Sequence, residues 1–315
     1  MTIPALSILA ATDMSPGSNE IVGAAGELAA RSGAELHLFH AVAAPRWPGG
    51  EDVLDMQRRI HDARAALRAM AEQALPEGVR LASVQVALGG AADSILERAA
   101  RVGAGLIVIG PHRTRPFADR VLGTTADELI RESSIPCLII RGPFSPELRR
   151  IVVPSDLSEV AQGTLAVALR WGAALQGSAN LGEETRLTVV HVDGSASDDR
   201  SELGDSPQSW SELGRQVAAV SGSATAKPSV RVDREILRGA SPAEEIRRFV
   251  RESGADLVVM GTRGDRPLVK ALLGSVSASV ARDTEIPLLL VPPAMWTGER
   301  DGTHGGGGAV RPSSA

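Results

Sequence analysis

A chain of 315 residues with 43% hydrophobic content and a formal net charge of −5 is long enough for two domains that each bury a core, and too apolar to stay disordered. The slight negative charge does not favour bulk attraction to nucleic acid, no apolar run is long enough to span a bilayer, and the single cysteine, Cys137, excludes an intrachain disulfide. The lone thiol fits a reducing cytoplasm, and Met1-Thr-Ile-Pro-Ala-Leu6 reads as the lead-in to a first strand, not as a signal peptide, because no basic region precedes its apolar residues.

In chain order, the pattern predicts strands over Leu6–Ala11, Glu35–Val42, Arg80–Leu88, Leu106–Gly110 and Cys137–Arg141. A second series follows at Ile151–Pro154, Arg186–Val192, Val230–Leu237, Leu257–Gly261 and Leu288–Val291. Several are nearly continuous apolar runs, as strands covered on both faces should be. Helices fill the gaps. Ser15-Pro16 predicts an N-cap and first turn, with Gly33 as the stop. Ser158 and Gly177 take the same parts in the second series. Ser241-Pro-Ala-Glu-Glu245 opens another helix, with acids in its first turn, and Gly254 ends it.

The two series are copies of one unit. His40 and His191 end matching runs (191 − 40 = 151), and Gly110/Gly261, Gly123/Gly274 and Pro136/Pro287 keep the same spacing. Asp13 and Asp156 are closer (156 − 13 = 143), so the second copy gains residues between its first two strands, in the polar stretch Gly177–Glu184. The resulting division is a first domain over 1–142, a linker over 143–148, a second domain over 149–296 and a disordered tail from 297 to 315. The linker is short and carries proline, which holds the domains close. Alternating strands and helices imply parallel sheets with right-handed crossovers, and ligands bind outside the carboxyl ends of such strands. That singles out Asp13, His40 and Gly110 in the first copy, and Asp156, His191 and Gly261 in the second.

Behind the strand Leu257–Gly261 comes Thr262-Arg263-Gly264, a basic loop, and then Gly274-Ser275 at a helix start. Glycine lets a backbone approach closely, and a helix N-terminus offers unpaired N–H groups to an anion. Ser275 and Ser277 add hydroxyls, and Arg263 can add a charge-assisted contact. The alternative is a tight strand–loop–helix turn with an ordinary serine cap. Asp13 and Asp156 equally fit residues that favour the turn and dipole of the helix that follows. His40 and His191 fit packed strand ends, since no nucleophile or acid partner is identified for them. Cys137 fits a buried structural thiol. His112 fits either a phosphate contact or a solvent-facing loop residue.

The frame Gly261-x-x-Gly264, nine residues, then Gly274-Ser275 resembles the nucleotide-binding signature of universal stress proteins. So do Ile151-Val-Val-Pro-Ser-Asp-Leu-Ser158 and Val190-His-Val192, with echoes in Ile8-Leu-Ala-Ala-Thr-Asp-Met-Ser15 and Phe39-His-Ala41. The resemblance covers about Ile3–Gly142 and Arg149–Pro293. It implies an α/β fold of two tandem Rossmann-like domains, each a five-stranded parallel sheet flanked by helices. It also implies a regulatory ATP-binding protein of the stress response. By the resemblance, Asp156 and Val192 lie beside adenine and ribose, and the peptide around Pro154-Ser155 lines the same end. Gly261, Arg263 and Gly264 run along the phosphates, Gly274, Ser275, Val276 and Ser277 hold them from the helix start, and Met260 also belongs to the cofactor-binding set. Mg²⁺ or Mn²⁺ can accompany the phosphates, and no carboxylate or histidine cluster suggests a protein-made metal site.

In the first copy the corresponding residues are Asp13, Gly110, Arg113, Gly123, Thr124 and Thr125. Arg113 stands where the second copy has Gly264. It either fills the pocket or points outward as an added cation. The steric cost of a left-handed backbone favours lost or weakened nucleotide binding, and the intact Gly123-Thr-Thr125 leaves room for a smaller anion. Ala41 replaces the bulkier Val192, which loosens packing around an adenine. The competing account is a scaffold without nucleotide, an internal dimer that pairs the final strands of its two halves. An enzyme is not expected beyond a slow ATPase side activity, because no Walker-type loop is present. The expected partners are ATP, the other half of the chain, a second copy and an unidentified protein, with no nucleic acid and no membrane.

Overall fold

The apolar runs become strands of one sheet in a computed structural model, which describes residues 7–43, 53–110, 123–141, 144–145, 147–175, 184–194, 207–223, 230–263 and 273–293. The first half contains β1 (Ser7–Ala11), α1 (Ser18–Ser32), β2 (Glu35–Val42), α2 (Val53–Ala74), β3 (Arg80–Leu88), α3 (Ala91–Arg101), β4 (Ala104–Ile109), α4 (Thr124–Glu132) and β5 (Cys137–Ile139). The second half repeats the order with β6 (Arg150–Pro154), α5 (Glu159–Leu175), β7 (Thr185–Asp193), α6 (Pro207–Ser223), β8 (Val230–Arg238), α7 (Pro242–Ser253), β9 (Leu257–Gly261), α8 (Ser275–Asp283) and β10 (Leu288–Val291). Arg113, His112, Gly264, most of the proposed insertion and the tail lie outside the described residues.

The ten strands run in the order β3-β2-β1-β4-β5-β10-β9-β6-β7-β8. Every pairing is parallel except the central one, where β5 and β10 are antiparallel in the register Leu288↔Ile139, Leu289↔Leu138 and Leu290↔Cys137. Each half is thus a five-stranded parallel sheet, and the halves join as a continuous ribbon across their final strands. Because the join is antiparallel, the carboxyl ends of the strands in one half point to the sheet edge opposite to those of the other.

Strand alternation divides the core into two layers. Ile8, Ala10, Leu36 and Leu38 face a cluster that also takes Leu28 of α1, Leu67 of α2, Leu165 of α5 and Leu213 of α6. Leu9, Ala11, Phe39 and Ile107 face a second cluster with Ile95 of α3, Leu129 of α4, Ile246 of α7 and Val280 of α8. Both clusters draw on both halves, so the core is continuous across the seam. Phe144 and Leu148, from the joining segment, pack into the first cluster. A water-sized apolar void lies at the seam, lined by residues that include Leu28, Leu138, Trp171 and Leu289.

Helix ends follow local chemistry. Gly33 (φ 68°) and Gly254 (φ 59°) stop α1 and α7 in left-handed conformations that a Cβ would disfavour. The expected start of α1 at Ser15 is displaced: the helix begins at Ser18, with Gly17 at the N-cap. The Asp13 carboxylate accepts the Ser15 N–H at 2.9 Å and the Ser18 hydroxyl at 3.2 Å. The Ser18 N–H donates to the Ser15 carbonyl, so Ser15-Pro16-Gly17 forms a turn before the helix. In the second half Ser158 does cap α5, its hydroxyl accepting the Ala161 N–H at 3.1 Å.

One buried polar group gives the fold a pH dependence. His37, on β2, has Nδ1 2.8 Å from the Ser83 hydroxyl, which also accepts from Arg98 Nη2 at 2.8 Å. Burial lowers the His37 pKa below its ordinary 6.5, and Arg98 lowers it further against the opposing pull of Glu35. The unfolded chain therefore takes up this proton at a higher pH than the folded one. Its contribution to stability is complete above about pH 6.5 and fades as pH falls through the lowered folded value. Urea denaturation from pH 7.5 to 5 is expected to show this decline in the native chain and less of it in His37→Gln. Identical profiles would remove His37 as the cause.

Candidate functional site

Each half has a switch point between its first and fourth strands, where one crossover leads outward and the next leads back toward the seam. In the second half this crevice is built from the ends of β6 and β9 and the start of α8. The turn after β6 is held from several sides. The Ser155 N–H donates to the Val190 carbonyl of β7 at 2.8 Å, and His191 Nδ1 donates to the Ser155 carbonyl at 2.9 Å. The Ser155 hydroxyl accepts the Leu157 N–H at 3.1 Å, while Asp156 Oδ1 accepts both the N–H and the hydroxyl of Ser158. Leu157 is thereby fixed at φ 63°, a left-handed conformation rare for a branched side chain.

The first half repeats this turn. The Thr12 hydroxyl accepts the Met14 N–H at 3.1 Å, His40 Nδ1 donates to the Thr12 carbonyl at 2.7 Å, and Met14 also has φ 63°. Both histidines serve as clamps between the second strand and the turn after the first. Asp13 and Asp156 are exposed at the crevice mouths, and each organises its own turn.

Gln216 of α6 braces the turn at the second crevice. It is buried, its Oε1 accepts the Ser155 hydroxyl at 3.0 Å, and its Nε2 donates to the Ser158 carbonyl at 3.2 Å. Sequence reasoning passed over it. The available signal was a polar residue on the apolar stripe of Leu213, Val217 and Val220.

The glycine-frame end of the crevice is equally defined up to the loop. The Thr262 N–H donates to the Val291 carbonyl at 3.0 Å, and the Gly274 N–H donates to the Thr262 carbonyl at 2.9 Å, so α8 starts beside the end of β9. Ser275 is exposed at the first turn, with Val276 half-buried behind it. Ser277 turns inward, and its hydroxyl donates to the Gly261 carbonyl at 2.8 Å. Met260 is buried in the second core cluster and Val192 packs against that cluster. Pro154 ends β6 half-buried. Arg263 reaches away from its own half, and its Nη2 donates to the Arg131 carbonyl at the end of α4 at 3.4 Å. In the first half, Gly123 precedes Thr124 and Thr125 at the start of α4 with nearly the same backbone as Gly274 (φ −59° and −55°).

The glycines have different reasons to be glycine. A Cβ on Gly110 would stand 2.1 Å from Ile21 Cδ1, and one on Gly261 would stand 3.1 Å from Thr164 Oγ1 and 3.2 Å from the Arg263 carbonyl. These two make room for α1 and α5, a packing reason that the reading of close phosphate approach did not include. Ile21 and Thr164 are equivalent in the two copies, so a hydroxyl stands by the second crevice where a methyl stands by the first. Gly274 is different. Its φ is ordinary, and a Cβ there would be no closer than 3.6 Å to the nearest described atom.

No group of three or more His, Cys, Asp and Glu that could hold a metal ion occurs among the described residues. A divalent ion at this crevice would be carried by ligand phosphates, with Ser275 as the exposed hydroxyl at the helix start. No helix among the described residues is long and apolar enough to cross a membrane.

The sequence profile described as the universal stress protein family matches residues 6–141 and again 147–292. A universal stress protein of Methanocaldococcus jannaschii is 44% identical over 62 residues, 20% of this chain and 36% of that protein. One of Synechocystis sp. is 28% identical over 185 residues, 58% of this chain and 56% of that protein. The matched stretches thus span about a third to just over half of these relatives. Among solved structures, a universal stress protein from Archaeoglobus fulgidus superposes with a TM-score of 0.63 at 20% identity, covering 91% of this chain and 96% of that one. A functionally unknown protein from Pseudomonas aeruginosa gives a TM-score of 0.60 at 17% identity, covering 94% and 95%. At such identity these likenesses speak for the fold.

Proposed function

The chain belongs to the universal stress protein family, and from that premise we propose that it is a regulatory protein whose second half binds ATP, with that binding lost or weakened in its first half. The observation that carries this reading is Gly274. Neither its backbone angles nor its described neighbours require glycine. A ligand resting against the start of α8 does, since a side chain there would stand between the phosphates and the helical N–H groups. In the sequence, Gly264 stands in the following loop where the first copy has Arg113.

At the other end of the crevice, Asp156, Pro154, Ser155 and Val192 would face the nucleoside. Gln216 would hold that wall rigid. Mg²⁺ or Mn²⁺ would arrive with the phosphates. ATP is held and not consumed in this reading, so binding favours one conformation and thereby one partner surface. Turnover faster than about one per minute, still slow beside ordinary enzymes, would contradict it. The chain is proposed to act in the cytoplasm.

Calorimetry on the full chain with ATP and Mg²⁺ is expected to give about one site per chain, and native mass spectrometry to show a retained nucleotide. Two equal sites would end the asymmetry, and no binding would end the nucleotide reading. A second reading, a scaffold without nucleotide, is favoured by the seam, where β5 and β10 make an internal dimer that needs no ligand. An empty second crevice under excess ATP would select it.

A further inference from the structure

The two crevices open on opposite edges of the sheet, yet a short helix leads from each toward the other. Helix α4 starts at Thr124 beside the first crevice and ends at Glu132. Its Arg131 carbonyl accepts from Arg263, which follows β9 at the second crevice. Helix α8 starts at Ser275 beside the second crevice and ends at Asp283. There Arg141, just past β5 of the first half, donates to the carbonyls of Arg282 at 3.1 Å and Thr284 at 3.4 Å. Arg131 and Arg282 are equivalent positions of the repeat (282 − 131 = 151). Each helix therefore has its C-terminal carbonyls held by a guanidinium from the other half, the charge that the negative end of a helix dipole favours.

The two holds differ in what competes for them. Arg141 is half-buried and spans two carbonyls at the end of α8. Arg263 lies in the glycine frame, where a polyphosphate would sit. A phosphate offers paired anionic oxygens, and a charge-assisted hydrogen bond to it is stronger than one to a neutral carbonyl.

We propose that Arg263 is a coupling residue: a polyphosphate in the second crevice draws its guanidinium from the Arg131 carbonyl and so loosens α4, which begins at the first crevice. The ligand state of one half is then read at the other through a helix that the ligand never touches. Linkage makes the effect reciprocal, so whatever tightens α4 against Arg263 weakens polyphosphate binding. This regulation rests on the proposed nucleotide reading of the second crevice, but the tie between Arg263 and α4 exists without ligand.

Hydrogen exchange over residues 124–133 of the full chain tests it, with and without saturating Mg²⁺–ATP and beside calorimetry on the same samples. ATP is expected to speed exchange in α4 by about five-fold or more, the lower range of ordinary coupling. Arg263→Ala is expected to show the fast rate without ligand and no further change with ATP. Arg263→Lys, which keeps the charge without the planar fork, is expected to fall between. Peptides from α2 serve as the control and are expected to keep their rates. Bound ATP with unchanged α4 exchange would overturn the coupling. Without ligand, an Arg263→Ala chain that exchanges like the native one, or that exchanges faster in α2 as well, would overturn the tie itself. Calorimetry without binding would refute the nucleotide reading separately, leaving that ligand-free comparison to decide the tie.

Discussion

Gly274→Ser is expected to weaken ATP binding by about 100-fold while leaving the thermal midpoint unchanged or slightly higher. Gly274 is the N-cap of α8 with φ −55° and ψ 143°, angles that any residue adopts. A built Cβ lies 3.6 Å from the Thr262 carbonyl, 3.8 Å from the Ser277 hydroxyl and 3.9 Å from Arg263 Cα, all ordinary contacts. Serine is a better cap than glycine by a few tenths of a kcal/mol, because its hydroxyl accepts the N–H of the second or third helical residue. Here those are Val276 and Ser277. The same N–H groups are the ones proposed to receive phosphate oxygens. A charge-assisted hydrogen bond contributes about 1.5–3 kcal/mol, so losing one or two corresponds to about 100-fold, or 2.7 kcal/mol. Stability and binding thus move in opposite directions, which general damage to the fold cannot imitate. Gly264→Arg, which copies the first half into the second, is expected to lose binding at least as completely. If Gly274→Ser binds ATP as the native chain does, the glycine is not there for a ligand.

Leu289→Ala is expected to cost about 3 kcal/mol and to lower both halves together in a single urea transition. Leu289 is 2% exposed, pairs with Leu138 across the antiparallel seam, and borders a void that is already present. Truncating a buried leucine costs about 2–5 kcal/mol, with more lost where a cavity remains. The shared core clusters make the loss common to both halves. Cys137 reports the event directly. It faces Leu290 across the seam, it is buried, and burial pushes its pKa up to about 12. The thiolate is therefore scarce, and a thiol reagent should label it only when the seam opens. Labelling is expected to be slow in the native chain and faster in Leu289→Ala. Two separate transitions, or labelling indifferent to the substitution, would show that the halves are independent.

The strands were legible because each is a compact apolar run bounded by turn residues. Glu35–Val42, Arg80–Leu88, Leu257–Gly261 and Leu288–Val291 appear with the bounds that the pattern predicts. The pairing of the final strands was expected only within the scaffold account, as an internal dimer, and β5 and β10 do pair across the seam. Less was legible where a residue's partner lies far along the chain. Gln216 is about 60 positions from the turn that it braces, and Arg263 reaches a carbonyl 132 positions away. No local pattern records either contact. Ser15 misled because a serine–proline pair is a good helix opening in isolation. Asp13 and the left-handed Met14 consumed those residues in a turn instead. Gly110 and Gly261 were legible as special positions but not in their reason, which depends on how closely α1 and α5 pass.

The antiparallel seam has a consequence for how the molecule is addressed. Two separate copies joined in this way would be interchangeable, and a partner meeting either edge would find the same face. Here the two protomer-like units are one chain and differ in sequence, with Arg113 in one copy of the motif and Gly264 in the other, and Gln216 bracing the turn of the second half. The ribbon therefore has a fixed heads and tails. Covalent fusion guarantees that every molecule carries one of each, in a constant ratio that no mixing of subunits can dilute.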